Sequence, residues 1–236
     1  MKFGLRARLT AEFLGSAFLV AAVVGSGIMG ERLAGGNVAI ALLANTIATG
    51  AALVTLILTF GAISGAHFNP AVSLAAAVER SLAWPDAGAY IVVQSAGAVG
   101  GAILAHLMFG LRWYSFSSHE RHGAAQVLSE FVATFGLMTV IWGCSRARAE
   151  ATPYAVASYI VAAYWFTAST SFANPAVTVA RCLSDTFAGI RPADVPWFVV
   201  AQIVGALAAT FLFRWIATQE LLLGTKTTGS GGNISG

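Results

Sequence analysis

The tripeptide Asn-Pro-Ala occurs twice in the sequence, at Asn69-Pro70-Ala71 and at Asn174-Pro175-Ala176. Pro suits the first turn of a helix and Asn suits the capping position before it, so each tripeptide predicts a helix N-terminus. Each one opens an apolar stretch, at about 69–79 and 174–183, that is half as long as a membrane span. Two such ends meeting at one place would offer amide hydrogens to water or a neutral hydroxylated solute and would oppose cations.

The composition predicts a membrane protein. Of the 236 residues, 57% are apolar and only 10% are charged, whereas soluble domains carry about 25% charged residues. The net charge of +3 is small and forms no basic patch, so we expect no nucleic-acid partner. Cys144 and Cys182 show no metal-ligand spacing, and we expect neither a metal nor a cofactor.

Six segments are apolar and long enough to span a bilayer. They lie at about 9–29, 38–60, 87–109, 126–144, 153–171 and 195–217. We interpret the apolar stretch after the basic start "KFGLRAR" as the first span rather than as a signal peptide, because it belongs to a repeat. The Gly/Ser/Thr-rich tail over 218–236 is expected to be disordered.

The two halves of the chain repeat the same polar landmarks in the order Glu, Asn-Pro-Ala, Gln. The matching pairs are Glu12 with Glu130, Asn69 with Asn174, and Gln94 with Gln202. Each half, about 5–110 and 124–217, has three spans and one half-span, and an odd number of spans inverts the second copy. The sequence therefore predicts one domain over 1–217: an all-α membrane protein with six transmembrane helices, two re-entrant half-helices and an inverted repeat.

The distribution of basic residues predicts the orientation in the membrane. With a cytoplasmic N-terminus, eight Lys and Arg residues fall inside and five outside, which favours both termini in the cytoplasm. We expect a multi-pass protein of the inner (plasma) membrane. Cys144 and Cys182 then lie near opposite faces, too far apart for a disulfide.

The stretches "SGAHFNPAVSLA" and "SFANPAVTVA", with the paired Glu and Gln residues, resemble the aquaporin or major intrinsic protein family over residues 5–217. The resemblance implies six tilted spans, two half-helices, a pore in every subunit and a homotetramer in the bilayer.

Five polar residues are expected to support the re-entrant loops: Glu12, Glu130, His67, Gln94 and Gln202. For the two glutamates, the alternatives are a carboxylate that accepts backbone hydrogen bonds and a proton relay. For His67, the resemblance implies support of the loop, and a titrating gate is the alternative. The glutamines are expected to bond between helices rather than to touch a solute.

The resemblance also places a selectivity filter at fixed distances from the motifs. These distances point to Thr49, Ala162, Ser171 and Val177. The family usually has Arg where this chain has Val177, and four uncharged side chains of small or medium size predict a wide filter. Arg181, one turn later, either compensates from the outer vestibule or snorkels to the membrane interface.

These features predict a passive channel for water, glycerol and small neutral solutes. The stretch "YWFTASTSFANPAV" resembles a bacterial, aquaglyceroporin-like branch linked to arsenic handling, which makes neutral arsenite a candidate solute. The alternatives are a plain water and glycerol channel, and a proton-coupled transporter that uses Glu12 and Glu130. The sequence has no plausible nucleophile and base set, so an enzyme is not expected.

Overall fold

The computed structural model describes residues 3–228, with side chains described to residue 219. Over this range it contains eight α-helices, two short 3-10 turns and no strand. The helices are α1 (Leu5–Leu33), α2 (Val38–Ser64), α3 (Pro70–Val78), α4 (Trp84–Met108), α5 (Ala124–Ala147), α6 (Thr152–Phe166), α7 (Pro175–Arg181) and α8 (Val195–Thr228). The predicted all-α class is confirmed.

Five helices, α1, α2, α4, α5 and α8, are long and apolar enough to cross a membrane. The helix of the predicted fifth span, α6, has only 15 residues, or about 22 Å. The 3-10 turn Ala149–Ala151 precedes it and adds about 6 Å, which brings the segment close to the roughly 30 Å of a bilayer core. The predicted end of this span at 171 is wrong, because the chain leaves the helix after Phe166 and turns back at Thr170, where φ is +58°.

The two half-spans form the two shortest α-helices, α3 with nine residues and α7 with seven. Each begins with a proline, and the Asn before it has extended backbone and caps the helix through its side chain. Both Asn-Pro-Ala motifs thus open half-helices, as the sequence predicts.

The most extensive helix pair is α1 with α4, and α5 with α8 is the equivalent pair of the second repeat. Small residues permit this approach: a Cβ built on Gly101 would lie 2.1 Å from the carbonyl oxygen of Ala17, and one built on Gly205 would lie 2.5 Å from that of Phe131. Gly97 lies one turn before Gly101 against the same helix. These glycines therefore mark close helix contacts.

Large apolar side chains cover the outside of the bundle. Examples are Phe18, Ile47, Leu58, Val92, Leu107, Val204 and Phe211. The polar landmarks of the repeat are buried instead. An apolar exterior around a polar interior suits a lipid surrounding.

The C-terminal helix is longer than the sequence predicts. Disorder was expected from residue 218, but α8 continues to Thr228. Gln219, Glu220 and the three leucines after them have high helix propensity, which favours continuation of the last helix. The rest of the tail, 229–236, lies outside the described residues, and its disorder stays a prediction.

Candidate functional site

The two Asn side chains tie the half-helices to each other. Asn69 accepts a hydrogen bond from the backbone N–H of Ala71, and its Nδ2 donates to the carbonyl oxygen of Ala173 at 2.8 Å. Asn174 does the reverse, since its Nδ2 donates to the carbonyl oxygen of Phe68 at 2.8 Å. Each amide nitrogen carries two hydrogens, so one remains on each Asn after this exchange.

The loops before the two motifs share an unusual backbone. The residues three and one before Asn69, Ala66 and Phe68, have φ of +50° and +48°. The corresponding residues before Asn174, Ser171 and Ala173, have φ of +49° and +50°. Left-handed backbone costs a non-glycine residue about 1–2 kcal/mol, so the surrounding contacts must hold both loops in this shape.

In the first loop, the contacts come from the Glu12 carboxylate, which is fully buried. It accepts hydrogen bonds from the backbone N–H of His67 at 3.0 Å, the N–H of Phe68 at 2.7 Å and the hydroxyl of Ser64 at 2.6 Å. A carboxylate that accepts hydrogen bonds from two consecutive backbone N–H groups stabilises the left-handed backbone of this loop. This is the geometry that a loop-supporting role requires.

Glu130 does the same in the second loop. Its two oxygens accept from the N–H of Phe172 and the N–H of Ala173, both at 2.9 Å. The two donors stand two and one positions before Asn174, as the donors of the first loop stand before Asn69. The inverted repeat therefore extends to individual hydrogen bonds.

The two glutamines complete these networks away from the cavity described below. Gln94 Nε2 donates to the Glu12 carboxylate at 2.8 Å and to Ser73 Oγ, on the first half-helix, at 2.9 Å. Gln202 Nε2 donates to the carboxylate of its own repeat at 2.6 Å and to Thr178 Oγ1, on the second half-helix, at 2.8 Å. Each glutamine thus joins a spanning helix to a half-helix.

His67 belongs both to the loop and to the cavity wall. Its Nδ1 lies 3.0 Å from Ser73 Oγ, and its ring packs edge-on against Tyr90 at 5.5 Å between ring centroids. The side chain is thereby anchored to the first turn of α3 and oriented by an aromatic neighbour.

A cavity of about 290 Å³ passes between the helices and past both motifs. Part of its wall is apolar and is formed by Leu19, Val23, Leu53, Ile57, Leu137, Ile141, Val156 and Ile160. Another part is formed by the two left-handed loops and the capping residues Asn69 and Asn174. The cavity therefore offers both hydrogen-bonding groups and hydrocarbon to a solute.

We call the end of the cavity that holds Thr49, Tyr164 and Arg181 the outer end, following the orientation that the basic residues predict. Three of the four residues predicted for the filter, Thr49, Ser171 and Val177, line the cavity and are buried. The structure brings these three predicted positions together.

The fourth predicted filter residue, Ala162, does not join them. It is exposed on the outward face of α6 and does not line the cavity. The cavity-facing residues of α6 are instead Thr152, Val156, Ile160 and Tyr164, which follow one another every four residues. Because residues at i and i+4 share a helix face, a position two residues before Tyr164 points away.

Tyr164 is the residue that the sequence analysis missed. Its hydroxyl lies 3.4 Å from Thr49 Oγ1, and both side chains are buried at the cavity wall. The signal that could have identified it is the four-residue spacing from Val156 through Ile160, which marks the inner face of α6.

Arg181 lies in the cavity wall and not at the membrane interface. It is 2% exposed and lines the cavity, so it does not snorkel to the interface. Its Nε donates to the carbonyl oxygen of Ala188, and its guanidinium carbon lies 3.4 Å from the centroid of the Phe172 ring. A positive charge therefore lies in the cavity wall about one helical turn beyond Val177.

Comparisons with known proteins identify the family. The family model described as Major intrinsic protein matches residues 2–164 and residues 145–233. The chain is 55% identical over 215 residues to aquaglyceroporin AqpS of Rhizobium meliloti (strain 1021), and the match covers 91% of this chain and 92% of that protein. It is 33% identical over 218 residues to aquaporin NIP1-1 of Zea mays, and this match covers 89% of this chain and 74% of that protein.

The fold also resembles the X-ray structure of the aquaglyceroporin from Plasmodium falciparum. The TM-score is 0.68 at 18% sequence identity, and the match covers 89% of this chain and 96% of that one. This likeness shows the fold. The relatives are channels rather than enzymes, in agreement with the expectation from the sequence. With its inverted repeat, its two braced half-helices and a family match over both halves, the chain belongs to the major intrinsic protein family of membrane channels.

Proposed function

We propose that this protein is a passive channel of the inner (plasma) membrane for water, glycerol and other small neutral hydroxylated solutes, including arsenite in its neutral form. The observation that carries the proposal is that one cavity passes both Asn side chains, each held by its bond to the opposite loop. Fixed donors cost no reorganisation when a solute arrives.

The polar and apolar parts of the cavity wall match the two sides of a polyol. Each Asn keeps one amide hydrogen for a solute oxygen, and Ser171 Oγ has no hydrogen-bond partner among the described residues. The apolar part of the wall accepts the carbon side of the solute without a desolvation penalty. A cation would lose its hydration shell against that wall and meet no carboxylate, since Glu12 and Glu130 do not line the cavity.

The filter of this channel comprises Thr49, Tyr164, Ser171 and Val177. Val177 follows the second Asn-Pro-Ala motif directly, where the resemblance leads one to expect Arg. A valine leaves more room than an arginine, which favours glycerol-sized solutes over water alone. Arsenite at neutral pH is mostly As(OH)₃, an uncharged triol of about that size, so the same features accommodate it. The 55% identical relative from Rhizobium meliloti is named an aquaglyceroporin, which supports the glycerol part of the proposal.

Proton-coupled transport does not fit the same geometry. The Glu12 carboxylate accepts four hydrogen bonds and that of Glu130 accepts three. Neither faces the cavity. A carboxylate occupied in this way is a poor proton carrier for a passing solute.

In this proposal the protein forms a homotetramer with one pore per subunit and both termini in the cytoplasm. The excess of basic residues on that side supports the orientation. Intact cells treated with a protease that cannot cross the membrane should therefore keep a C-terminal tag.

The transport test uses purified protein in liposomes. Stopped-flow light scattering should show faster water and glycerol equilibration than in empty liposomes, and loaded arsenite should equilibrate down its gradient and no further. Accumulation of solute above equilibrium under an imposed proton gradient would contradict a passive channel. Rapid glycerol flux with arsenite flux equal to that of empty liposomes would leave a plain water and glycerol channel.

A further inference from the structure

Arg181 is a buried cation that faces the outer end of the cavity. It is the last residue of α7 and stands four residues after Val177. Residues four apart lie on the same face of a helix, and both side chains line the cavity. Arg181 therefore stands about one helical turn, or roughly 6 Å, beyond the position from which the family's usual arginine is missing.

The orientation of its guanidinium group is fixed on two sides. Its Nε donates to the carbonyl oxygen of Ala188, and its plane is held over the ring of Phe172, 3.4 Å from guanidinium carbon to ring centroid. A planar fork held in this way presents its remaining N–H groups in one direction. Loop 182–190 and the loop before the second motif thus position the charge.

Part of this group has no partner within the protein. Arg181 Nη1 is buried and finds no hydrogen-bond acceptor among the described residues. None of the ion pairs within the described range includes Arg181. Buried donors are almost always paired, so a donor left open at a cavity wall points to an acceptor that passes through the cavity.

We propose that Arg181 supplies the filter charge that position 177 lacks: its guanidinium group donates hydrogen bonds to solute oxygens at the outer end and repels cations there. This role presupposes the proposed channel function. Because the cation stands one turn beyond Val177, the channel keeps a wide opening at the level of Val177 and Thr49 and still places an unneutralised positive charge on the solute path. Width and cation exclusion, which one arginine usually combines, are here divided between two positions.

A purely structural role is the competing explanation, since Arg181 also joins α7 to Ala188. The two roles differ in what the charge does. A structural arginine affects assembly and stability, whereas a filter arginine sets the cation leak and the ratio of solute to water flux in correctly assembled protein.

The experiment compares Arg181→Gln, Arg181→Lys and Arg112→Gln in liposomes at equal protein density. Arg112 is exposed in the loop after α4, and this loop meets the chain just after α7 through the bond from Ser115 N to the Leu183 carbonyl oxygen. Arg112→Gln therefore removes one positive charge from the end of the molecule where Arg181 lies, and Arg112 does not line the cavity. A pH-sensitive dye and a potassium-sensitive dye report the leak, and stopped-flow scattering reports water and glycerol flux.

We expect Arg181→Gln to raise the proton or potassium leak at least about tenfold, because a unit charge near a poorly solvated path contributes that much or more. Arg181→Lys should keep the wild-type leak but change the glycerol-to-water ratio by about threefold or more, because a lysine lacks the planar fork. Arg112→Gln should match the wild type in both readouts.

A wild-type leak in Arg181→Gln, or an equal rise in Arg112→Gln, would overturn the assignment. If the Gln variant does not assemble, the Lys variant decides, and an unchanged glycerol-to-water ratio there would overturn it. Absence of glycerol flux in the wild type would instead overturn the proposed channel function, and with it this role of Arg181.

Discussion

Asn69 and Asn174 each donate a hydrogen bond to the carbonyl oxygen of the residue that precedes the other, at 2.8 Å in both directions. The exchange links the ends of two half-helices that stand 105 residues apart in the sequence. It uses one hydrogen of each amide for structure and leaves the other for a solute. The same two side chains thus hold the site together and form part of its surface.

Asn69→Ala should destabilise the protein by about 1–3 kcal/mol, because it removes a helix cap and leaves a buried carbonyl of the opposite loop unpaired. Thermal unfolding in detergent measures the loss, and flux assays should show slower glycerol permeation. The matched control is Asn37→Ala, since Asn37 caps α2 in the same way but is exposed. A decrease in flux of the same size in the control would contradict a specific role for Asn69 in the cavity.

Glu12→Gln and Glu130→Gln should lower the yield of folded protein more than the flux per folded channel. An amide can keep one accepting oxygen, but its NH₂ group then faces donors that the carboxylate accepted from. The expected destabilisation is about 3 kcal/mol or more for each variant. Normal assembly and stability together with complete loss of flux would instead support a proton relay. Glu31→Gln, at an exposed position in α1, is the control.

Gly101→Ala should disrupt the contact between α1 and α4. The added Cβ would lie 2.1 Å from the Ala17 carbonyl oxygen, and overpacking of this kind costs about 1–3 kcal/mol. The control is its neighbour, because a Cβ on Gly100 meets nothing within 4 Å. Gly100→Ala should be neutral or slightly stabilising. Thermal unfolding of the two variants in the same detergent provides the comparison. Equal unfolding midpoints would contradict a close contact between α1 and α4 at Gly101.

Tyr164→Ala should increase glycerol flux relative to water flux, because it removes a large side chain from the outer end of the cavity. Ala162→Val, on the outward face of the same helix, should leave the ratio unchanged. Stopped-flow swelling with both solutes measures the ratio. If Ala162→Val changed the glycerol-to-water ratio and Tyr164→Ala did not, Ala162 rather than Tyr164 would be part of the filter.

Val177→Arg should reduce glycerol and arsenite permeation sharply and leave part of the water permeation. The long side chain narrows the opening beside Thr49, and its donors are matched more easily by water than by a bulkier solute. Val177→Met, of similar length but uncharged, separates the effect of size from that of charge. Rates equal to wild type for both solutes, at equal protein density, would show that Val177 does not line the narrowest part.

The sequence alone determined the architecture of this protein. Glu12, Asn69 and Gln94 stand in the same order as Glu130, Asn174 and Gln202 within an apolar chain, and only buried roles explain polar residues repeated there. Half-length apolar stretches opened by Asn-Pro predicted the two half-helices, because length and capping are local properties. For the two glutamates the sequence allows loop support or a proton relay, and the hydrogen-bond geometry favours loop support.

The tertiary structure decided which side chains face the cavity. Counting residues back from Asn174 led to Ala162, but the rotational phase of α6 depends on its packing against α2 and α5 and brings Tyr164 to the wall instead. For Arg181 the sequence allows a position in the outer vestibule or at the membrane interface. Its inward orientation depends on contacts with the Ala188 carbonyl and the Phe172 ring, which lie on either side of α7 in the chain. Spacing along the chain determines which helix carries a residue. The direction of its side chain depends on neighbours that are distant in sequence.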